Sequence, residues 1–98
     1  MTRPLSVRPL AEAEIEQARA WYEEKRQGLG ARFLAEVREG LVAIEESPER
    51  YPVVRGEVRR RLLHRFPYFL LYLVDPEVIV VIGCFHARRD PRRWQSRT

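Results

Sequence analysis

Apolar residues recur at helical spacing through the first half of this chain and at strand spacing through the second. Leu5-Ser6-Val7 reads as a short strand, and Pro9 follows at a position suited to a helix start. Ala11, Ile15, Ala18 and Tyr22 then line one helical face, with Glu12, Glu16, Arg19 and Glu23 on others. Gly28-Leu29-Gly30 breaks this helix. A second amphipathic pattern, Phe33, Val37, Leu41 and Ile44 flanked by Leu34, runs to Ser47-Pro48. So short a turn makes the two helices an antiparallel hairpin. Gly40, inside the second helix, marks either a close approach of the two helices or a weak point in one.

From Val58 the period becomes two. Val58–Arg65, Tyr68–Val74 and Val78–His86 are expected strands, the last two joined as a hairpin around Asp75-Pro76-Glu77. The order predicts a single α+β domain over residues 1–98. Its antiparallel helical hairpin packs on one face of a small, mostly antiparallel sheet of three to four strands. In Tyr68–Val74 both alternating faces are apolar, whereas a half-buried antiparallel strand alternates apolar with polar. Two helices cover one face only. The other calls for the C-terminal segment folding back, or for a second chain.

Composition narrows the class. At 98 residues with 45% hydrophobic and 33% charged content, the chain is a globular domain with one core. Its single cysteine, Cys84, excludes an internal disulfide and points to a reducing compartment. The opening MTRPLSVRPL does not read as a secretory signal. Neither Phe66–Val74 nor Val78–Phe85 reaches the roughly 20 apolar residues of a membrane helix. A soluble, cytoplasmic protein without a membrane partner is therefore expected. The net charge of +4 is unevenly placed: residues 1–54 hold eight basic and ten acidic side chains, and residues 55–98 hold ten and four. Of the 18 basic residues only Lys25 is a lysine, which argues against lysine catalysis. Arginine suits phosphate and carboxylate partners, although a GC-rich genome would also enrich it.

Three groups could carry chemistry. Arg59, Arg61 and Arg65 share one parity of the first strand after the helices, a spacing that could track a phosphate backbone. On an edge strand the same charges would serve only to block edge-to-edge aggregation. His86, at the end of the last strand, could act as general acid or base, with Glu57 as the one plausible carboxylate base. A strand-terminal histidine more commonly hydrogen-bonds a neighbouring carbonyl or Asp90, and that structural role is preferred. Arg88, Arg89, Arg92 and Arg93 form a basic cluster around Asp90-Pro91, a cap and first-turn proline that predict a short helical turn over Arg92–Arg97. Trp94 within it is a core plug or an interface anchor. No spacing of Cys84, His64 and His86 suits a metal, there is no Gly-rich phosphate loop, and no cofactor is implied.

Taken in order, PLAEAEIEQARAWYEE, SPERYP, RFPYFLLYLV and HARRDPRRW resemble the RelE/ParE superfamily of toxins from type II toxin–antitoxin modules, across nearly the whole chain. The resemblance implies two helices on a small antiparallel sheet and a growth inhibitor held inactive by a cognate antitoxin in a hetero-oligomer. RelE-like members cut messenger RNA on the ribosome without metal. ParE-like members poison DNA gyrase by surface contacts. This chain departs from the nuclease pattern: Phe66-Pro67-Tyr68-Phe69 stands where nucleases tend to carry a catalytic arginine, the sheet region lacks lysine, and Ala87 follows His86. The departures favour the ParE-like side. The target-binding residues would then be Arg59, Arg88, Arg89, Arg92, Arg93 and Trp94. The alternative is a metal-independent endoribonuclease using His86, Arg61 and Arg65. A third reading is a decayed toxin that keeps only antitoxin binding.

Overall fold

The computed structural model describes residues 3–98. Strand β1 (Leu5–Val7) leads into α1 (Pro9–Lys25), whose first-turn proline needs no N–H partner and brings a preset φ. Gly28, in the left-handed region at φ 90°, reverses the chain into α2 (Leu29–Glu46). The Glu23 carboxylate fastens this turn by accepting from the Gly28 and Gly30 N–H groups at 2.9 Å each. Those bonds hold its pKa below the ordinary carboxylate value. The close approach of the helices falls at Gly30, not Gly40: a Cβ on Gly30 would lie 2.9 Å from the Arg19 carbonyl oxygen. Gly40 faces the sheet instead, where a Cβ would lie 3.1 Å from Leu70 Cδ1.

Beyond α2 come β2 (Val53–Arg55), β3 (Val58–Leu62), β4 (Tyr68–Val74), β5 (Ile79–His86) and the short α3 (Arg92–Gln95). They complete the expected α+β architecture with a sheet of five strands in the order β1-β5-β4-β3-β2. All neighbours are antiparallel except β1 and β5. The additional strand, β2, reads Val-Val-Arg and lacks the alternation that marked Leu5-Ser6-Val7. It turns into β3 through Gly56 at φ 57°. Strand β3 stops at Leu62, short of Arg65, because Glu36 on α2 draws in the next loop by accepting from the His64 and Arg65 N–H groups.

The helices cover one sheet face, burying Phe33, Val37 and Ile44 against Leu70, Tyr72 and Val81. The Tyr72 hydroxyl donates to the Pro48 carbonyl at 2.6 Å, and burial pushes its pKa up to about 12. Val58, Phe69, Leu71, Ile82 and Phe85 form a second cluster on the opposite face. A β-bulge makes this partition possible. Leu71 pairs with Gly83 but Tyr72 pairs with Val81, so Ile82 is the extra residue. Plain alternation would place Ile82 beside Cys84 and His86. The bulge sends it to the second face and brings Val81 under the helices.

The C-terminal segment folds back over one end of that second face. The half-buried Trp94 packs edge-on against Phe69, with centroids 6.2 Å apart. Further along, Leu73 and Val80 are only partly buried, and Leu62 at the sheet's margin is 52% exposed. Self-coverage is therefore partial. No helix among the described residues is long and apolar enough to cross a membrane.

Candidate partner-binding cleft

Strand β1 accompanies β5 only as far as Val81, so among the described residues the outer edge of β5 continues from Ile82 without a neighbouring strand. A cleft of about 360 Å³ opens along this edge, walled by α1 on one side and the C-terminal segment on the other. Trp21 stands on its rim, 48% exposed, and Tyr68, His86, Arg89, Arg93 and Trp94 are among the residues that line it.

His86 is fixed on two sides. Its ring packs edge-on to Tyr68 at 5.1 Å, and its Nδ1 accepts from the Arg88 backbone N–H at 3.0 Å. Nε2 is then the protonated nitrogen. Burial, reinforced by the charges of Arg89 and Arg88, lowers the His86 pKa below its ordinary 6.5. The Nδ1 lone pair is committed to a backbone amide, and the ring offers the cleft one N–H donor.

The basic cluster divides by partner. Asp90 holds Arg92, accepting from its backbone N–H at 3.0 Å and its Nε at 2.8 Å. These bonds hold Asp90 below the ordinary carboxylate range. Among the described residues, Arg88, Arg89 and Arg93 make no side-chain hydrogen bond or ion pair, and all three are exposed. Two of these free guanidinium groups, Arg89 and Arg93, therefore line the cleft beside Trp94.

The arginines of β3 lie elsewhere. Arg59 donates to the Tyr51 and Glu49 carbonyls at 2.7 and 3.1 Å, which ties the β2 approach to β3. Arg61 stacks over Tyr51 at 5.5 Å, with its Nε buried and unpartnered. Arg60, on the opposite face, stacks over Phe69 at 5.4 Å. Arg65 lines a groove on the α2 flank beside Leu29 and Phe66. Glu57 sits between β2 and β3, beyond the end of β3 opposite Leu62. None of these residues lines the cleft that holds His86. No group of three His, Cys, Asp or Glu residues among those described could hold a metal. Cys84 is buried, and burial pushes its thiol up to about 12, so it is chemically quiet.

Residues 5–91 match the family described as the ParE toxin of the type II toxin–antitoxin system, parDE. The chain belongs to the ParE toxin family. It is a RelE/ParE superfamily toxin of a type II toxin–antitoxin system. No curated protein matches the sequence. Among solved structures, the chromosomal ParDE system from P. aeruginosa matches with a TM-score of 0.79 at 14% identity, covering 88% of this chain and 97% of that one. The isolated E. coli RelE toxin matches with a TM-score of 0.65 at 22% identity, covering 96% and 94%. The RelBE2 toxin–antitoxin complex from Mycobacterium tuberculosis gives 0.63 at 20%, covering 88% and 99%. At these identities the likeness is one of fold, shared by ParE and RelE proteins alike.

Of the residues singled out from the sequence, His86, Arg89, Arg93 and Trp94 line this cleft of the ParE-family chain; Trp21, Tyr68, Glu14 and Arg97 line it too and were not singled out. Trp21 carried a usable signal: a large aromatic beside, not on, the apolar stripe of α1. Glu14 and Arg97 carried none, being 83 residues apart.

Proposed function

We propose that this ParE-family toxin arrests growth in the cytoplasm by binding an essential protein, DNA gyrase being the expected target, and that a cognate antitoxin neutralises it. The contact surface is the cleft and its rim: Arg88, Arg89 and Arg93 with Trp94, extended by Arg92 and, across the opening, Trp21. The observation that carries this reading is the dispersal of the nuclease set. RNA cleavage needs a base for the 2′-hydroxyl, an acid for the leaving oxygen and cations on one phosphate. Here His86 is bonded at Nδ1, Arg61 stacks on Tyr51 outside the cleft, and Arg65 lines a different groove. Free arginines beside the half-buried Trp94, with the exposed Trp21 on the rim, suit a protein interface, where such residues are typical anchors. The partly covered second sheet face, with Leu62, Leu73 and Val80, supports docking of the antitoxin there.

Purified toxin should inhibit DNA supercoiling by gyrase and leave ribosome-bound messenger RNA uncut. His86→Ala separates this from the nuclease alternative. Loss of a general acid or base costs about 10²–10⁴-fold in rate. Loss of one N–H donor at an interface should raise the toxin level needed for arrest less than about tenfold. A drop of several orders of magnitude, with the melting temperature unchanged, would favour the nuclease.

A further inference from the structure

Among the described residues no strand lies beside the outer edge of β5 past Val81, yet two of its backbone groups are satisfied by side chains. The Cys84 N–H donates to Glu14 Oε1 at 3.1 Å, and the Ile82 carbonyl accepts from Arg97 Nη1 at 2.8 Å. Glu14 comes from α1 and Arg97 from the end of the chain. The two close on each other through Arg97 Nη2 and Glu14 Oε2 at 2.9 Å, with side chains 23% and 24% exposed. The Arg97 guanidinium also lies 5.1 Å from the Phe85 ring centre. Together they present one acceptor and one donor to alternate residues of β5, as a neighbouring strand would.

We propose that Glu14 and Arg97 form a directional cap that substitutes for the missing strand and positions the C-terminal segment. Through that segment they set Trp94 and Arg93 at the cleft, a consequence that rests on the target-binding reading above. Edge amides and carbonyls left unpaired template unwanted strand pairing, and where partly buried they destabilise the fold. A carboxylate only accepts and a guanidinium only donates. An ordinary ion pair tolerates exchange of its two ends. This pair cannot, because exchange would set a guanidinium against the Cys84 N–H and a carboxylate against the Ile82 carbonyl.

The test is amide exchange at Cys84 together with Trp94 emission, both in the full chain with Trp21→Phe as background. Glu14→Ala should speed Cys84 exchange about tenfold. Arg97→Ala should shift Trp94 emission to the red, since Arg97 ties the segment to β5. Glu14→Gln keeps an accepting oxygen and should keep Cys84 protection within about threefold of the parent. The exchanged pair, Glu14→Arg with Arg97→Glu, should recover neither readout. Recovery of both by the exchanged pair, or no change in either single variant, overturns the cap. In growth assays Arg97→Ala should raise the toxin level needed for arrest about tenfold, in step with the emission shift. Full arrest with Trp94 displaced overturns the positioning role. If the unaltered chain arrests nothing, the target-binding reading fails, and exchange and emission alone decide the cap.

Discussion

Reversing the two free cleft charges, Arg89→Glu with Arg93→Glu, should abolish growth arrest while leaving the domain folded. Both guanidinium groups are exposed and without partners among the described residues, so the fold loses no bond with them. Surface changes of this kind usually stay within about 0.5 kcal/mol. At an interface the arithmetic differs. Arginine anchors contribute about 2 kcal/mol or more each, and reversal adds repulsion to the loss. Binding to the target should weaken by roughly 10³-fold, which no plausible expression level restores. Titrating expression against growth, with circular dichroism as the check on folding, reads the outcome. Undiminished arrest from a folded double variant would remove the cleft from the account.

The second large effect concerns stability. Phe33 is fully buried and packs with Tyr22, Phe66 and Tyr68 at ring separations of 5.4, 5.2 and 5.3 Å. Phe33→Ala empties the centre of that cluster and should cost about 3–5 kcal/mol. A small domain is stable by only about 5–15 kcal/mol in total, so much of the margin disappears. At about 4–8 °C per kcal/mol, the melting temperature should fall by at least roughly 12 °C. The effect reaches the cleft, because Tyr68 joins this cluster on one side and packs against His86 on the other. Thermal denaturation checks it. A loss below about 1 kcal/mol would mean that the aromatic cluster is not where the hairpin is held to the sheet.

Legibility in the sequence followed physical range. Helical and strand periods are local, so both long helices, the turn at Gly28 and the β4–β5 hairpin could be read from neighbouring residues. Strand β2, Val-Val-Arg, shows no apolar–polar alternation, and the bulge at Ile82 breaks a period with only the adjacent Gly83 to mark it. Both depend on pairing partners that only the fold supplies. The site followed the same rule. Residues close in the chain, such as His86, Arg89 and Trp94, stayed together because a strand end and a short helix keep them so. Arg59, Arg61 and Arg65 looked equivalent by parity, but Tyr51 engages Arg59 and Arg61 from the chain before β2, and Glu36 draws the loop bearing Arg65 toward α2. The Glu14–Arg97 pair joins the two ends of the chain, beyond the reach of any local pattern.

The central claim, growth arrest through a protein target and not through RNA cleavage, is tested most directly by pulse-labelling a bacterial culture after induction of this chain alone. DNA and protein synthesis are followed separately over the first minutes. Early arrest of DNA synthesis with translation continuing is the predicted result. Early arrest of translation, with DNA synthesis declining only later, would contradict it and return His86 and the β3 arginines to the centre of a ribonuclease site.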